Sequence, residues 1–294
     1  MRVVTYNSQF CTGRDGRCDP TRIVRAVESA DIIAFQEIER FWRRSGNVDQ
    51  TAEIAALLPD RYWIYGPYFD ADGSQRRPDG TVVNRRRQFG VMILSRWPII
   101  SSRLHLLPKF ETATTFCMIA GMLEAVIDAP GGPLRVYNVH LNDVMADERM
   151  VQIARLFEIL HGAPVEGGIW SGFDPDWEAA GTPPPMPRDA IVLGDFNSVP
   201  RSREYEALVG PYDKHFSYGR VTVSHRLVDA WVATGHAEED GVTYPLDEAH
   251  GYRQPFRIDY CFLTSSLLPR LKSCWIDDAA DGSDHQPVWI ELAD

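Results

Sequence analysis

Residues 191–199, Ile-Val-Leu-Gly-Asp-Phe-Asn-Ser-Val, decide how this chain is interpreted. The apolar start predicts a short buried strand, and Asp195 and Asn197 follow the glycine at which that strand ends. Positions i and i+2 share a face while the chain stays extended, so a carboxylate and a carboxamide would point the same way. Such a pair can orient a water molecule and hold a phosphoryl oxygen. The same residues can also form an Asx turn after a strand, and this stretch alone does not decide between the two.

The bulk composition is that of a soluble globular protein, with 44% hydrophobic and 24% charged residues among 294. This length suits one large core or two modest domains. No apolar run is long enough to cross a bilayer, and residues 2–7 have the pattern of a strand rather than of a secretion leader. Nothing in the spacing of the five cysteines requires a disulfide. We therefore expect a cytoplasmic protein.

The charge balance argues against a general duplex-coating role. The chain carries 30 basic and 41 acidic residues, a net charge of −11, whereas non-specific DNA binding depends on neutralisation of phosphates by Lys and Arg. A local basic site remains compatible with this balance, and an acidic protein is suited to gathering divalent cations.

Apolar strands alternate with helices along the chain, which predicts an α/β protein. Strands are predicted at 2–6, 31–37, 61–68, 89–95, 99–107, 115–128, 134–140, 190–194, 228–231, 257–263, 272–276 and 287–292. Helices are predicted from Pro20, with Asp19 as its N-cap, and at 49–58, 146–160 and 202–208.

Two segments show neither the helical nor the strand period of apolar residues. Residues 70–88 are predicted to form a long polar loop, and it holds the densest basic cluster of the chain: Arg76, Arg77, Arg85, Arg86 and Arg87. This loop is either solvated or a recognition loop that faces phosphate, because arginine offers phosphate a bidentate fork. Residues 162–189, rich in Gly and Pro with Trp170 and Trp177 among them, are predicted to be a surface insertion. The strand pattern resumes at 190, so no domain boundary is placed in this segment.

Polar groups stand where the predicted strands end. They are Asn7 with Gln9, Glu37, His140 with Asn142, Asp195 with Asn197, Asp259, and the cluster Ser283-Asp284-His285. Strand ends and their loops hold the ligands in layered α/β folds. If these ends converge, their oxygen donors suit a hard cation, Mg²⁺ or else Mn²⁺ or Ca²⁺. The sequence has no zinc-type Cys/His spacing, no Walker glycine loop and no Gly-x-Ser-x-Gly elbow.

Six short motifs occur in an order that resembles the endonuclease/exonuclease/phosphatase superfamily. They are Thr5-Tyr6-Asn7, Gln36-Glu37, Val139-His140-Leu141-Asn142, Gly194-Asp195-Phe196-Asn197, Arg257-Ile258-Asp259-Tyr260 and Ser283-Asp284-His285. That superfamily includes pancreatic-type deoxyribonuclease, abasic-site endonucleases, neutral sphingomyelinases and inositol-polyphosphate phosphatases. The resemblance spans residues 5–285 and implies that residues 1–294 form a single domain, with 162–189 as its surface insertion. It implies a four-layered α/β sandwich, in which two packed mixed β-sheets are flanked by helices, and a metal-dependent phosphoesterase activity.

The resemblance also implies roles for the metal side of the site. Asn7 and Glu37 resemble the metal-side residues, Glu37 being the direct Mg²⁺ ligand, and Asp284 resembles a second metal contact. Bound divalent ions of this kind supply Lewis acidity to phosphoester hydrolysis.

The catalytic roles are implied in the same way. Asp195 resembles the residue that orients or deprotonates the attacking water, and Asn197 resembles a phosphate contact. Asp259 and His285 resemble an Asp–His pair that donates to the phosphoryl group, and His140 a residue that helps stabilise the pentacovalent phosphorus or the leaving oxygen. Each of these residues alone is more often structural, and the functional interpretation depends on the whole set.

The substrate stays open at this point. Gln9, Asn142 and Arg86 are the candidate substrate-binding residues. A phosphodiesterase or phosphatase acting on a small molecule or lipid headgroup is favoured by the net charge. A DNA-directed nuclease would need a local basic groove, for which 76–87 is the candidate, and Gln9 looks more like the deoxyribonuclease-like branches than the abasic-site one. A non-catalytic phosphate-binding module is the third alternative, against which the full set of catalytic-type residues argues.

Overall fold

A computed structural model describes residues 1–177, 182–213, 215, 220–245 and 254–293. Its strands are β1 (Arg2–Asn7), β2 (Ile32–Arg40), β3 (Tyr62–Asp72), β4 (Gln75–Arg76), β5 (Val82–Val83), β6 (Arg86–Ser95), β7 (Ile99–Leu106), β8 (Gly121–Ile127), β9 (Leu134–His140), β10 (Ala190–Asp195), β11 (Leu227–Asp229), β12 (Asp259–Thr264), β13 (Leu271–Ile276) and β14 (Val288–Leu292). Its α-helices are α1 (Pro20–Val27), α2 (Gln50–Leu57), α3 (Ala146–Glu166), α4 (Arg203–Val209) and α5 (Ala230–Ala233). None of these described helices is long and apolar enough to cross a lipid bilayer.

Two six-stranded sheets form the body of the fold. Sheet one has the order β13-β14-β1-β2-β6-β3, and sheet two has the order β11-β12-β10-β9-β8-β7. The pairs β1–β2 and β9–β10 are parallel, whereas the other neighbours in both sheets are antiparallel. Both sheets are therefore mixed, as the sequence predicted.

Alternating side chains of β2 show how the layers arise. Ile32 and Ala34 belong to the apolar cluster between the two sheets, whereas Ile33 and Phe35 belong to the cluster beneath α1 and α2. A third cluster lies between sheet two and the helices α3 and α4. Because successive side chains point to opposite faces, a strand buried on both faces has to be apolar at nearly every position. The order helix, sheet, sheet, helix confirms the predicted four-layered sandwich.

The predicted polar loop at 70–88 is wrong in part, because most of it is a β-ribbon. Strand β3 continues to Asp72 and pairs with β6 from Arg86 onward, and the short strands β4 and β5 form a hairpin between them. The ribbon is solvated on both faces, so its strands carry none of the apolar alternation by which a strand is recognised. We call residues 69–89 the arginine ribbon.

Helix α3 also runs past its predicted end, as far as Glu166, and it contains Pro164. Proline has no N–H to donate to the carbonyl four residues earlier. In this helix that carbonyl, of Leu160, accepts instead from Arg135 Nη1 at 3.0 Å. The irregular segment therefore begins at 167, and residues 178–181 of the predicted insertion lie outside the described residues.

A β-bulge in β2 sets the direction of Glu37. Phe35 pairs with Met92 and Ile38 with Gly90, so β2 has one extra residue between these two pairs. Ile38 therefore takes the helix-facing position that strict alternation would assign to Glu37. Glu37 itself adopts φ +61°. The bulge keeps the Glu37 carboxylate out of an apolar layer and directs it to the sheet edge.

Asn138, in β9 of sheet two, binds the bulged region of sheet one across the interface. Its Nδ2 donates to the main-chain carbonyls of Phe35 at 2.8 Å and Met92 at 3.0 Å. Its Oδ1 accepts from Gln36 Nε2 at 2.6 Å, and Gln36 Nε2 also donates to Thr5 Oγ1 at 2.9 Å. All of these polar groups are buried, where an unmade hydrogen bond is costly. The network thus fixes the bulge relative to the second sheet.

We expect Asn138→Leu to lower the free energy of unfolding by about 3 kcal/mol, because it removes several buried hydrogen bonds while keeping the side-chain volume. Chemical denaturation measures this change. Thr5→Val, which removes only the peripheral contact to Gln36, is the control and should cost roughly 1 kcal/mol. Equal stability of the two variants would show that the inter-sheet amide is not the stabilising element.

Candidate active site

The polar strand ends converge at one edge of the two sheets, around a cavity of about 390 Å³. Among the residues predicted from the sequence, those that line it are Gln9, Glu37, His140, Asp195, Asn197, Asp284 and His285. Asn7 and Asp259 are buried behind them and bond directly to Glu37 and His285. The fold therefore brings most of the predicted set into one place.

The amide of Asn7 lies between two carboxylates. Its Nδ2 donates to Glu37 Oε1 at 3.0 Å and to Asp195 Oδ2 at 2.9 Å, and its Oδ1 accepts from the main-chain N–H of Gln9 at 3.0 Å. The main-chain N–H of Asn197 donates to the other oxygen of Asp195 at 2.9 Å. Both oxygens of Asp195 are thus engaged, whereas Glu37 Oε2 accepts no hydrogen bond from the described residues. Glu37 therefore has a carboxylate oxygen fully available to bind a ligand, whereas each oxygen of Asp195 already accepts a hydrogen bond.

Burial, and next the nearby charge of Asp259, raise the pKa of Asp195 to about 7, although His285, the Asn197 N–H and Asn7 act in the opposite direction. Burial also raises the pKa of Glu37, although His140 and Asn7 act in the opposite direction. Desolvation disfavours the charged form of a carboxyl group unless a cation compensates it. The site therefore holds more negative charge than its own residues neutralise.

His285 is held as an imidazolium. Burial alone would lower its pKa, but the charge and hydrogen bond of Asp259 outweigh burial and raise this pKa to about 10. His285 Nδ1 lies 2.8 Å from Asp259 Oδ2, and Nε2 lies 3.9 Å from Asp195 Oδ2. Thr243 Oγ1 accepts the N–H of Asp259 at 3.1 Å, which fixes the start of β12. A cationic N–H therefore faces the cavity.

His140 has a neutral partner instead. Its Nδ1 lies 2.7 Å from the hydroxyl of Tyr68, and burial lowers its pKa. Its Nε2 lies 3.7 Å from Asp195 Oδ2 and 3.9 Å from Glu37 Oε1. A proton on Nε2 suits those carboxylates, and Tyr68 then donates to Nδ1. The two histidines of the site thus differ in charge because one is paired with a carboxylate and the other with a phenol.

Asn197 and Asn142 both use their amides within the protein. Asn197 Nδ2 donates to the carbonyl of Leu141 at 3.0 Å, and its φ of +49° lies in the left-handed region that asparagine tolerates. Asn142 Oδ1 accepts the N–H groups of Val144 and Met145, and its Nδ2 contacts Cys117 Sγ at 3.1 Å. Asn197 still lines the cavity, whereas Asn142 organises the turn before α3.

Arg86 is not brought to the cavity. Its Nε lies 2.7 Å from Asp70 Oδ1, and Gln88 Nε2 donates to the other oxygen of Asp70 at 3.3 Å. These residues form a paired group on one face of the arginine ribbon.

The sequence interpretation missed several residues of the site. Tyr68 and Thr243 support the two histidines, and Met118, Asp143, Val199, Tyr244, Phe256 and Ile258 complete the cavity wall. Tyr68 stands in an alternating strand whose pattern gives no sign of His140, since the two meet only when the sheets pack. Tyr244 packs edge-on against the ring of His285 at 5.0 Å, and it belongs to a loop without a recognisable motif.

The donor set fits a divalent cation. Ligand atoms of Glu37, His140 and Asp195 lie within 4.8 Å of one another, and so do those of Asp195, Asp259 and His285. The second group contains the imidazolium of His285, which has no free lone pair and repels a cation. The first group offers two carboxylates with raised pKa values, and carboxylate oxygens are the donors that Mg²⁺ and Mn²⁺ accept. Glu37 and its neighbours are thus the better metal candidate.

Residues 4–285 match the sequence model of the Endonuclease/Exonuclease/phosphatase family, and the chain belongs to that family. No curated protein sequence matches the chain.

Solved structures share the fold at low sequence identity. A family protein from Leptotrichia buccalis is 16% identical with a TM-score of 0.64, and the match covers 100% of both chains. A Bacteroides thetaiotaomicron mannosyl-6-phosphatase is 17% identical with a TM-score of 0.61, again over 100% of both chains. D. rerio TDP2 complexed with a single-strand DNA product is 15% identical with a TM-score of 0.63, and the match covers 100% of this chain and 99% of that one.

We expect Asp195→Asn to raise the melting temperature in EDTA at pH 8. The folded pKa of Asp195, about 7, exceeds the unfolded value, so ionisation in the fold costs stability progressively from the unfolded pKa up to about pH 7. The increase in melting temperature over the wild type should therefore grow from pH 4 to pH 7 and then stay constant, at a difference of about 5 °C. Thermal unfolding across this pH range measures the gain. Asp143→Asn, at an exposed carboxylate of the same cavity, is the control, and a gain independent of pH would contradict the charge argument.

Proposed function

We propose that this chain is a divalent-metal-dependent hydrolase of phosphoester bonds that acts by in-line attack of water on a small-molecule or lipid-headgroup substrate. The observation that carries the proposal is that buried carboxylates and two histidines, one cationic and one neutral, surround one cavity. The cavity volume of about 390 Å³ is within the range of small-molecule sites, and Met118, Val199 and Phe256 give its wall an apolar part.

Glu37 is the proposed metal ligand, with Mg²⁺ as the ion and Mn²⁺ or Ca²⁺ as alternatives. It lines the cavity and its Oε2 accepts no hydrogen bond from the described residues, whereas both oxygens of Asp195 accept one, and Asn7 fixes the other oxygen of Glu37. Asp284 lines the same cavity and is a proposed second contact. A divalent cation bound here supplies Lewis acidity and neutralises charge on the phosphoryl oxygens.

Asp195 is proposed to orient the attacking water and accept its proton. Asn7 and the Asn197 N–H hold its two oxygens in place, so the carboxylate is preorganised. Its pKa of about 7 suits a general base that works near neutral pH. Asn197, beside it, is the proposed phosphate contact.

The two histidines are proposed to act on different oxygens. His285 remains an imidazolium at physiological pH and donates through Nε2 to a non-bridging phosphoryl oxygen, where charge grows in the transition state. His140 is neutral and donates through Nε2 to the leaving oxygen. Tyr68 acts through His140 by fixing its tautomer, and Asp259 acts through His285 by fixing its charge and orientation.

A DNA-directed nuclease is the second candidate. The observation that favours it is the arginine ribbon beside the cavity, and TDP2, which has been solved with a single-strand DNA product, shares the fold. The mannosyl-6-phosphatase shares it equally, so the fold is compatible with both substrate classes. Under the third alternative, a non-catalytic phosphate-binding module, no ester would be hydrolysed.

We expect hydrolysis of bis(p-nitrophenyl) phosphate with Mg²⁺ or Mn²⁺ and none with EDTA. His285→Ala and Asn197→Ala should each lower kcat by at least about 10²-fold, since each removes a preorganised donor to the phosphoryl group. His225→Ala and Asn84→Ala, which replace exposed residues of the same types, are the matched controls and should retain wild-type rates. Circular dichroism checks that all four variants fold.

Supercoiled plasmid in the same assay separates the candidates. Turnover of the small ester with intact plasmid supports the small-molecule enzyme, and metal-dependent nicking that His285→Ala abolishes supports the nuclease. Wild-type rates in His285→Ala or Asn197→Ala would overturn the assignment of the site.

A further inference from the structure

The arginine ribbon has two chemically different faces. Phe89 of β6 belongs to the apolar cluster between the sheets, and its ring centroid lies 6.4 Å from that of His140. Side chains alternate along a strand, so Arg87 shares the face of Phe89 and Arg86 points the other way. The N–H of Gly73 donates to the carbonyl of Arg85 at 2.9 Å, which continues the ladder one residue further. Arg85 and Arg87 therefore lie on the face that leads to the catalytic cavity.

The outer face of the ribbon is electrostatically paired. Arg86 binds Asp70, as described above, and Arg40 donates to Gln88 at 2.9 Å and pairs with Asp49 at 2.7 Å. The inner face is different, because within the described part of the chain no carboxylate lies within ion-pair distance of Arg85 or Arg87. The guanidinium carbon of Arg85 lies 4.9 Å from the ring centroid of Phe41.

Arg44 connects this inner face to the cavity. Its guanidinium carbon lies 4.0 Å from the ring centroid of Phe10 and 5.8 Å from that of Phe89, and Gln9, which precedes Phe10, lines the cavity. Its Nε and Nη2 bind the buried carboxylate of Glu39. Its side chain is nevertheless half exposed, and its Nη1 has no hydrogen-bond partner among the described residues.

We propose that Arg85, Arg87 and Arg44 form a second anion site, which binds a phosphate of the substrate other than the one that is hydrolysed. The guanidinium groups of Arg85 and Arg44 pack on aromatic rings, which orders them, and each still offers donors to phosphate. In a chain of net charge −11, a cationic face without a carboxylate at ion-pair distance among the described residues is a place where a polyanion is attracted.

The substrate class follows from this site, although its placement relative to the reacting phosphate depends on the proposed function. The substrate carries at least two phosphate groups. The second group belongs either to a bisphosphorylated small molecule or to the neighbouring nucleotide of a single strand. Both sources present the same phosphate oxygens to the arginines.

Calorimetric binding in EDTA, where no turnover occurs, tests the site with two probe pairs. The nucleotide pair is the thymidine dinucleotide TpT and its 5′-phosphorylated form pTpT, and the sugar pair is glucose 6-phosphate and glucose 1,6-bisphosphate. We expect the wild type to bind the bisphosphate member of at least one pair about 10-fold more tightly than the monophosphate member. The pair that shows this preference identifies the source of the second phosphate.

The double variant Arg85→Gln/Arg87→Gln should reduce that preference to about 1. Arg76→Gln/Arg77→Gln removes the same charge from the hairpin tip of the ribbon, which short probes do not reach, and should keep the preference. Arg44 is left intact because its loss would leave Glu39 buried without its cation.

A wild type without preference in either pair would overturn the proposal, as would a preference that survives in Arg85→Gln/Arg87→Gln or falls equally in both double variants. Failure of the proposed function is a separate result. If the expected pattern of binding appears but no phosphoester is hydrolysed with metal present, the second anion site stands and the hydrolase assignment falls.

Discussion

The side chain of Asn138 binds two strands of the opposite sheet at the point where β2 bulges, and the position of the Glu37 carboxylate at the cavity depends on this contact. Without the extra residue, alternation would place Glu37 among the apolar side chains beneath α1 and α2, where an unpaired carboxylate is costly. The bulge gives that position to Ile38 and turns Glu37 to the sheet edge. Asn138 then fixes the bulge against β9, the strand that ends in His140. Glu37 and His140 are thereby positioned relative to each other, together with the bond that Asn7 makes across the sheets to Asp195.

Burial and pairing then set the charge of each group in the site. Asp259 keeps His285 cationic, whereas the phenol of Tyr68 leaves His140 neutral. Burial, and next the charge of Asp259, raise the pKa of Asp195. A divalent cation would relieve the excess negative charge of the site, so the same arrangement that destabilises the metal-free site favours metal binding. The burial of these charges therefore lowers the stability of the metal-free protein while it favours metal binding, as is common at sites where ionisable groups are buried.

The sequence predicted the strand ends well because their signals are local. Gly194-Asp195-Phe196-Asn197 combines an apolar strand, a glycine and two polar residues, and Asp259 and His285 stand in similarly short motifs. The residues that hold the site in place could not be found from such local motifs. Tyr68 and Asn138 read as ordinary strand residues, and their partners lie on other strands that approach only when the two sheets pack.

The arginine ribbon shows the same limit in another form. Its composition identifies a basic segment, but without an apolar pattern the sequence does not show which arginines share a face. The structure shows that Arg86 pairs with Asp70, whereas Arg85 and Arg87 share the face of Phe89. One residue of register reverses the face of a strand.

Calorimetric titration with Mn²⁺ at pH 8 tests the central claim, that the Glu37 carboxylate at this cavity holds a divalent cation. We expect the wild type to bind the ion, Glu37→Gln to weaken binding by at least about 10-fold, and Glu53→Gln, which replaces an exposed acid on α2, to bind as the wild type does. Wild-type affinity in Glu37→Gln, or no binding by the wild type, would contradict the account.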